Sequence, residues 1–299
     1  MHNKDHGNGA RLRISRIHPF FIRIVSNERR FFVFITCYLV FSFKMSQHGF
    51  LSWASRGFSF TNWGVTGAPG WFHNSGEVGI QMCIYIPIAI AFIIGVYKYV
   101  SKTMLAILFF MPVSGIGTAI ASSSRGALIG LVAASSWSIM RKPKIFIIGG
   151  FVLALTLFIV INSIPKEFMV RFENTGSDNT SLERLERWKH GASTLRDFPI
   201  IGVGFEAWET YYPKHFTFEY DGTLLVHNIF IQCGAELGWS GLLVFIAMIC
   251  SCFMTTRRVR KLGRGYNDQF LCTLSYGFDS ALIGLLVSAS FVTVLYYPY

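Results

Sequence analysis

Arginine and histidine are the residue types in this sequence whose placement could do chemistry. Arg184 and Arg187 lie on a segment with helical periodicity, and Arg125 follows three serines between two apolar runs. A guanidinium stays charged and binds phosphate oxygens through two parallel hydrogen bonds. The three arginines are therefore candidates for binding a phosphate or diphosphate. Two simpler interpretations stay open, because Arg184 and Arg187 could pair with neighbouring glutamates and Arg125 could contact lipid phosphate at the membrane interface.

His227 is the candidate for proton transfer, because an imidazole titrates near neutral pH. Asn228 follows it, and on a helix Asn228, Gln232 and Glu236 share one stripe with His227 beside them. A row of polar side chains at a membrane boundary must face protein or a wet cavity. A single histidine is more often structural than catalytic, so a structural role also stays open.

Membrane helices are the elements that must position these residues. The chain has 299 residues, of which 52% are apolar and 14% are charged, with a mean hydropathy of +0.43. Five apolar segments are long enough, or nearly so, to cross about 30 Å of hydrocarbon, and two shorter segments bring the predicted total to seven. The predicted spans are 31–43, 79–97, 103–120, 126–140, 144–162, 237–256 and 270–295.

The net charge is +11, but the basic residues form short clusters between apolar runs. This pattern predicts orientation in a bilayer, with Lys and Arg kept on the cytoplasmic side, and excludes a cytoplasmic nucleic-acid binder. The predicted organisation is a basic cytoplasmic N-terminus at 1–30, five transmembrane helices at 31–162, a long extracytoplasmic loop at 163–236 and two transmembrane helices at 237–299. The six cysteines show no metal-binding spacing, so no metal site is predicted.

The long loop contains a predicted amphipathic helix. The run Thr-Ser-Leu-Glu at 180–183 fits a capping box, and Trp188 lies four residues after Arg184 on the same side of the helix. Pro199 disfavours helical geometry at Phe198, so the helix is predicted to stop there. The predicted fold is thus all-α, a polytopic membrane protein with about seven transmembrane helices and one long extracytoplasmic loop containing amphipathic helices.

Glycine and aromatic residues follow this helix. Gly202 and Gly204 provide a backbone that can turn sharply. Seven aromatic residues then crowd the stretch 205–220. Such density predicts an interfacial aromatic belt or, less often, a platform for sugar rings.

Taken together, these motifs resemble the O-antigen ligase and Wzy-type polymerase superfamily of bacterial envelopes. The resemblance runs from about Trp53 to the end, and family members usually have ten or more spans, so an N-terminally truncated member is expected. The motifs that carry it are Ser-Ser-Arg-Gly at 123–126, Arg184 with Trp188, Pro-Ile-Ile-Gly-Val-Gly at 199–204, His227 with Asn228, Gly-Trp-Ser-Gly-Leu at 238–242 and, upstream, Trp-Phe-His-Asn-Ser at 71–75.

The resemblance implies a polyprenyl-pyrophosphate-dependent glycosyltransferase in the bacterial inner membrane, with a cytoplasmic N-terminus and a periplasmic active site in the loop 163–236. It would transfer a glycan from undecaprenyl pyrophosphate to an acceptor hydroxyl, with inversion and without metal, nucleotide or other cofactor. The acceptor could be a glycolipid such as lipid A core, a polysaccharide or a protein, so ligase and polymerase both stay open.

The resemblance also implies roles for individual residues. Arg125 and Arg184 would hold the pyrophosphate, with Arg187 in reserve if Arg184 faces away. His227 would take the proton of the acceptor hydroxyl. The residues with supporting roles would be Asn74, Trp188 and Asn228.

Two other classes of function stay open on the sequence. A transporter or channel of envelope precursors would use polar residues such as Asp279, Arg125 and Glu236 to line a path through the membrane. A non-catalytic envelope scaffold would leave Arg125, Arg184 and His227 far apart. Convergence of these charges at one outer end of the helices favours glycosyl transfer.

Overall fold

The computed structural model describes residues 27–59, 64–65, 72, 74–141, 179–217 and 224–296. Every regular element within these ranges is a helix, which confirms the predicted all-α fold for this part of the chain. The helices are α1 (Glu28–Ser55), α2 (Ser75–Val96), α3 (Lys102–Ala121), α4 (Arg125–Arg141), α5 (Asn179–Asp197), α6 (Trp208–His215), α7 (Ile229–Gly265) and α8 (Gln269–Ala289).

Four helices, α2, α3, α7 and α8, are long and apolar enough to cross a membrane. A polytopic membrane protein fits this arrangement. The four helices cover the spans predicted at 79–97, 103–120, 237–256 and, in part, 270–295. The last prediction was too long, because α8 ends at Ala289 and the chain then turns toward the segment that precedes α7.

The remaining predicted spans have different outcomes. The short apolar runs at 31–43 and 126–140 are helical and lie within α1 and α4. Helix α4 is 17 residues long, which is a short path for crossing the hydrocarbon layer. The span predicted at 144–162 lies outside the described residues.

Helix α1 passes through the boundary between two compact units, residues 1–44 and 45–299. In the first unit the helix begins after Asn27, whose side-chain oxygen accepts the backbone N–H of Arg30 at 2.9 Å. This is the usual way to satisfy a free N–H group at a helix start. Everything described below belongs to the second unit.

The core of the second unit is helix α8 packed between α2 and α4. Small residues let these backbones approach closely, since a Cβ on Gly277 would lie 2.4 Å from that of Ala91, and one on Gly130 would lie 2.8 Å from the carbonyl oxygen of Gly284. A hydrogen bond of 2.6 Å between the hydroxyls of Ser138 and Ser280 adds a polar contact inside the bundle.

Several connections meet at one end of this unit, which we call the site end. A Cβ on Gly64 would lie 2.1 Å from the carbonyl oxygen of Ser122, and one on Gly76 would lie 3.3 Å from the side chain of Val292. The described residues brought together there are 64–65, 74, 122–124, 224–228 and 290–296.

The opposite end, which we call the basic end, contains the short turn between α2 and α3 and the turn between α7 and α8. A Cβ on Gly95 would lie 2.5 Å from the ring of Phe270, so these two turns are neighbours. The basic residues at this end are Lys98, Lys102, Arg141, Arg257, Arg258, Arg260, Lys261 and Arg264.

Helix α7 is broken at Gly238, whose φ of 67° and ψ of −169° belong to a region that is almost restricted to glycine. Residues 199–204, which we call the glycine loop, fit into the break. The backbone N–H of Trp239 donates to the carbonyl of Pro199 at 2.7 Å, and two N–H groups of the glycine loop donate to carbonyls of α7. The backbone groups that the break would leave unpaired are thereby satisfied.

Candidate active site

Helix α5 confirms the amphipathic helix predicted in the loop. It begins at Asn179, one residue before the predicted start, and it ends at Asp197, ahead of Pro199. Gly191 lets α5 lie close to α7, because a Cβ there would be 2.5 Å from the side chain of Ile231. The helix thus holds Arg184, Arg187 and Trp188 near the start of α7.

Arg187 is completely buried on α5. Its guanidinium pairs with the carboxylate of Glu186 and lies 5.0 Å from the centre of the Tyr212 ring. A buried charge is tolerated only with such partners. The interpretation of these arginines as surface groups therefore fails for Arg187, although its pairing with a neighbouring glutamate was anticipated.

Trp188 and Asn228 position His227 by fixing the backbone just before and just after it. The indole N–H of Trp188 donates to the carbonyl of Val226 at 3.0 Å. The side-chain oxygen of Asn228 caps α7 by accepting the backbone N–H groups of Phe230 and Ile231 at 3.0 and 3.1 Å. Asn228 is thus the capping residue and lies just outside the helix, so it is not part of a helical stripe with Gln232 and Glu236 as the sequence suggested.

His227 has a φ of 54°, in the left-handed region that non-glycine residues rarely adopt. Its backbone N–H donates to the hydroxyl of Thr293 at 2.9 Å, which holds this conformation. Burial, and to a smaller extent the positive charges of Arg184 and Arg187, together lower the pKa of the imidazole from 6.5 to about 4. The imidazole is therefore neutral at neutral pH, and Arg184 and Arg187 both act on it.

His227 lines a cavity of about 460 Å³ at the site end. This volume lies within the range that accommodates small ligands. Four carboxylates, from Glu77, Glu206, Glu209 and Glu236, contribute to its wall. The full lining is Asn74, Glu77, Glu206, Trp208, Glu209, Leu225, Val226, His227, Gln232, Glu236, Val292, Thr293, Leu295 and Tyr296.

Asn74 caps the start of α2 beside this cavity, and its side chain also bonds to that of Glu77. The side-chain oxygen of Asn74 accepts the backbone N–H of Glu77 at 3.0 Å, and its amide donates to the Glu77 carboxylate. Asn74 was predicted as a supporting residue, and it lines the cavity. Trp71 and His73, which belong to the same sequence motif at 71–75, lie outside the described residues.

Glu236 joins three segments at the cavity wall. Its carboxylate accepts the hydroxyl hydrogen of Tyr296 and, at 3.2 Å, the backbone N–H of Trp208. The side-chain amide of Gln232 lies 3.5 Å from the same carboxylate. Burial raises the pKa of the Tyr296 hydroxyl well above its usual range, and the contact with Glu236 raises it further. Tyr296 therefore keeps its proton and donates it in this hydrogen bond.

Arg125 lies at the site end as the first residue of α4. The hydroxyl of Ser124 caps this helix by accepting the backbone N–H of Ala127 at 3.3 Å. A Cβ on Gly126 would lie 2.9 Å from Phe291, whose ring contacts that of Trp188 with 6.3 Å between centres. The start of α4 is thus linked to α5 through these rings, but Arg125 is not among the described residues that line the cavity.

Sequence reasoning assigned the aromatic residues at 205–220 to a surface, but Trp208 and Tyr212 are buried. Their rings stack on each other with centres 5.0 Å apart, and His190 stacks on Phe216 at 4.4 Å. These residues form the small hydrophobic core of the loop, so a belt or an open sugar platform is wrong for this pair. The members at 218 and 220 lie outside the described residues.

Most of the cavity residues were not predicted as part of the site. Of Glu77, Thr293 and Tyr296, only Glu77 has a recognisable signal in the sequence. Glu77 follows Asn74 by three residues ahead of an apolar run, which is the pattern of a capping box. Thr293 and Tyr296 lie in or just after a predicted span, and nothing in their spacing indicates a cavity. In the described part of the chain, no group of His, Cys, Asp or Glu side chains could hold a metal ion.

The family described as O-Antigen ligase matches residues 106–246 of this chain. The match covers α3 through the first part of α7 and includes Arg125, Arg184, Arg187 and His227. It confirms the resemblance drawn from the motifs and indicates glycosyl transfer of the ligase or polymerase type, with a lipid-linked glycan and a membrane environment. A comparison with curated proteins found no match.

Proposed function

We propose that this protein transfers a glycan from undecaprenyl pyrophosphate to an acceptor hydroxyl at the periplasmic face of the bacterial inner membrane. One observation carries the proposal. A neutral His227 lines a cavity of small-ligand size, and the positive charges of Arg184 and Arg187 lower the pKa of its imidazole. No metal ion or other cofactor takes part in this scheme.

The arginines of α5, together with Arg125, hold the pyrophosphate of the donor. Arg184 makes the main contact, because Arg187 is completely buried and its guanidinium pairs with Glu186. As the bond between the anomeric carbon and the phosphate oxygen breaks, its electron pair leaves with the diphosphate. Fixed guanidiniums stabilise that growing negative charge.

His227 acts as the general base. Its neutral imidazole accepts the proton of the acceptor hydroxyl while the oxygen attacks the anomeric carbon from the face opposite the leaving diphosphate, so the configuration inverts. A free-enzyme pKa of about 4 makes this imidazole a weak base. Diphosphate bound to the arginines offsets their positive charges and raises the pKa, so the base gains strength only when donor is present.

The acceptor occupies the cavity. Carboxylates of Glu77, Glu206 and Glu209 can accept hydrogen bonds from the hydroxyls of a sugar, and Thr293 adds a hydroxyl of its own. The same carboxylates repel phosphate. The acceptor and the diphosphate are thereby directed to opposite sides of His227.

The charge distribution supports the orientation. Basic residues concentrate at the basic end, and this end faces the cytoplasm if Lys and Arg follow their usual preference. The site end and the described parts of the loop, residues 179–217 and 224–236, then face the periplasm. Asp279, which a transport path could use, pairs with Arg260 and lines the cavity at the basic end. It does not line the cavity at the site end.

The test is a transfer assay with the full chain in liposomes, an undecaprenyl-pyrophosphate glycan and candidate acceptors. His227→Gln should lower the rate by at least about a hundredfold, as expected on losing a general base. His215→Gln, a change at an exposed histidine on α6, should leave the rate within about twofold. Equal rates for wild type and His227→Gln would refute the base assignment. Failure of wild type to release undecaprenyl pyrophosphate with every acceptor would refute the proposed function.

A further inference from the structure

The basic end contains a second cavity that the proposed reaction does not use. Helices α4, α7 and α8 enclose about 700 Å³ there. Six basic residues and a single acid contribute to the wall. The lining is Trp137, Arg141, Met254, Arg257, Arg258, Arg260, Lys261, Arg264, Tyr276 and Asp279.

The guanidiniums of this basic cavity are held in place by fixed partners. Arg260 pairs with Asp279 at 2.8 Å, and its guanidinium lies 4.1 Å from the centre of the Tyr276 ring. Arg264 donates to the hydroxyl of Tyr276 at 2.8 Å, and Arg141 stacks over Trp137 at 4.5 Å. Stacking on aromatic rings orients guanidiniums while their N–H groups stay available for an anion.

One carboxylate cannot neutralise this concentration of positive charge. The Nη1 atom of Arg260 is buried and makes no hydrogen bond to any described residue. A buried donor of this kind costs free energy unless a ligand or water accepts from it. The basic cavity thus has an excess of positive charge and an N–H donor on Arg260 that a phosphate oxygen could accept from.

An apolar cleft of about 510 Å³ adjoins the basic cavity and shares Trp137, Arg141, Arg257, Arg260 and Asp279 with it. The other residues of its wall are all apolar. They are Phe253, Ile283, Leu286 and Val287, from α7 and α8. The cleft therefore leads from the charged cavity along the helices toward the middle of the bundle.

We propose that these joined cavities bind an anionic phospholipid of the membrane, with its phosphate among the arginines and an acyl chain in the apolar cleft. Charge complementarity selects an anionic headgroup, and burial of hydrocarbon in the cleft favours a lipid over a soluble phosphate. The proposal does not depend on the glycosyl transfer proposed above. Bound lipid would link α4 to α7, a helix that is only 6% buried over its most apolar window.

Lipid binding to the delipidated full chain in detergent tests the proposal. Phosphatidylglycerol should bind at least about tenfold more tightly than phosphatidylcholine with the same acyl chains. Inorganic pyrophosphate and glycerophosphoglycerol, tested as competitors, distinguish a lipid from a soluble anion. If either displaces phosphatidylglycerol at equal concentration, the site is a soluble-anion site and the proposal is overturned.

The variant Arg141→Gln/Arg257→Gln removes two charges that line both cavities. It should weaken phosphatidylglycerol binding about tenfold, whereas Lys98→Gln/Lys102→Gln, with the same loss of charge elsewhere at the basic end, should change it less than twofold. Equal losses in both variants would show unspecific attraction and overturn the proposal.

A third variant, Val287→Phe, fills the cleft without changing charge. It should weaken binding of long-chain phosphatidylglycerol but not of a short-chain analogue. It also provides the test if the arginine variant does not fold. Unchanged long-chain binding would overturn the assignment of the acyl chain to the cleft.

Discussion

The backbone N–H of His227 donates to the hydroxyl of Thr293 at 2.9 Å, so the residue ahead of α7 is tied to the segment that follows α8. This bond holds the imidazole at the cavity wall and supports a left-handed φ of 54°. The position of the proposed base therefore depends on a residue that is 66 positions away in the sequence.

Thr293→Val should lower transfer activity with little effect on donor affinity. The replacement keeps the side-chain shape but removes the acceptor of the His227 N–H, a loss worth about 0.5–1.5 kcal/mol or roughly threefold to tenfold in rate. Steady-state kinetics should show the loss in kcat with KM for the donor nearly constant. The control is Thr255→Val, because that hydroxyl bonds only locally, to Ser251 of the same helix. A drop in both variants would show that the effect is not specific to His227.

The pH dependence of kcat/KM should follow the lowered pKa of His227. The base must be neutral to work, and its pKa in the free enzyme is about 4. Activity should therefore stay constant from neutral pH down to about pH 5 and fall about tenfold per pH unit below about pH 4. The fall in kcat should begin at higher pH, because bound diphosphate offsets the arginine charges. An inflection of kcat/KM near the ordinary histidine pKa of 6.5 would contradict the burial argument.

Arg184→Gln should raise the pKa of His227 and weaken donor binding together. The variant removes one of the two charges that lower this pKa, so the acid limb of kcat/KM should move to higher pH. Loss of a charge-assisted hydrogen bond to phosphate should raise KM for the donor by about tenfold or more. Lys189→Gln, an equal change of charge at an exposed position on α5, is the control. A pH profile identical to wild type would show that Arg184 does not act on His227.

Gly238→Ala should destabilise the fold strongly. The backbone at this position is nearly restricted to glycine, and an added Cβ would lie 2.4 Å from the carbonyl oxygen of Ile200. Strain of this kind costs at least about 2 kcal/mol, so the melting temperature should fall clearly. Gly265→Ala, where an added Cβ meets nothing within 4 Å, should melt like wild type. Equal melting temperatures for the two variants would mean that the break at Gly238 is dispensable.

The membrane helices could be predicted because a long apolar run has few alternatives in a bilayer. The first turns of α7, residues 229–236, could not be assigned to the same helix, since Gln232 and Glu236 interrupt its apolar pattern. These two side chains are tolerated there because Glu236 is bonded to Tyr296 and Trp208. These stabilising bonds are tertiary contacts, which the periodicity of apolar residues along the sequence cannot reveal.

The residue types of the candidate site could be predicted from the sequence, but their arrangement in space could be predicted only in part. Arg184 and His227 were singled out because few residue types hold phosphate or exchange protons near neutral pH. Composition could not separate the buried stack of Trp208 and Tyr212 from an exposed belt, since both arrangements use the same residue types. The contribution of Thr293 depends on where α8 ends, which hydropathy placed six residues too late.

The break in α7 also constrains the order in which this part of the chain can assemble. Backbone groups of Ala235, Glu236 and Trp239 pair with the glycine loop instead of with their own helix. Because synthesis proceeds from the N-terminus, the glycine loop leaves the ribosome before the residues that need it. In a circular permutant that begins at the start of α7, the residues around the break would be made before the glycine loop. Their backbone N–H and C=O groups would then be unpaired during insertion into the membrane.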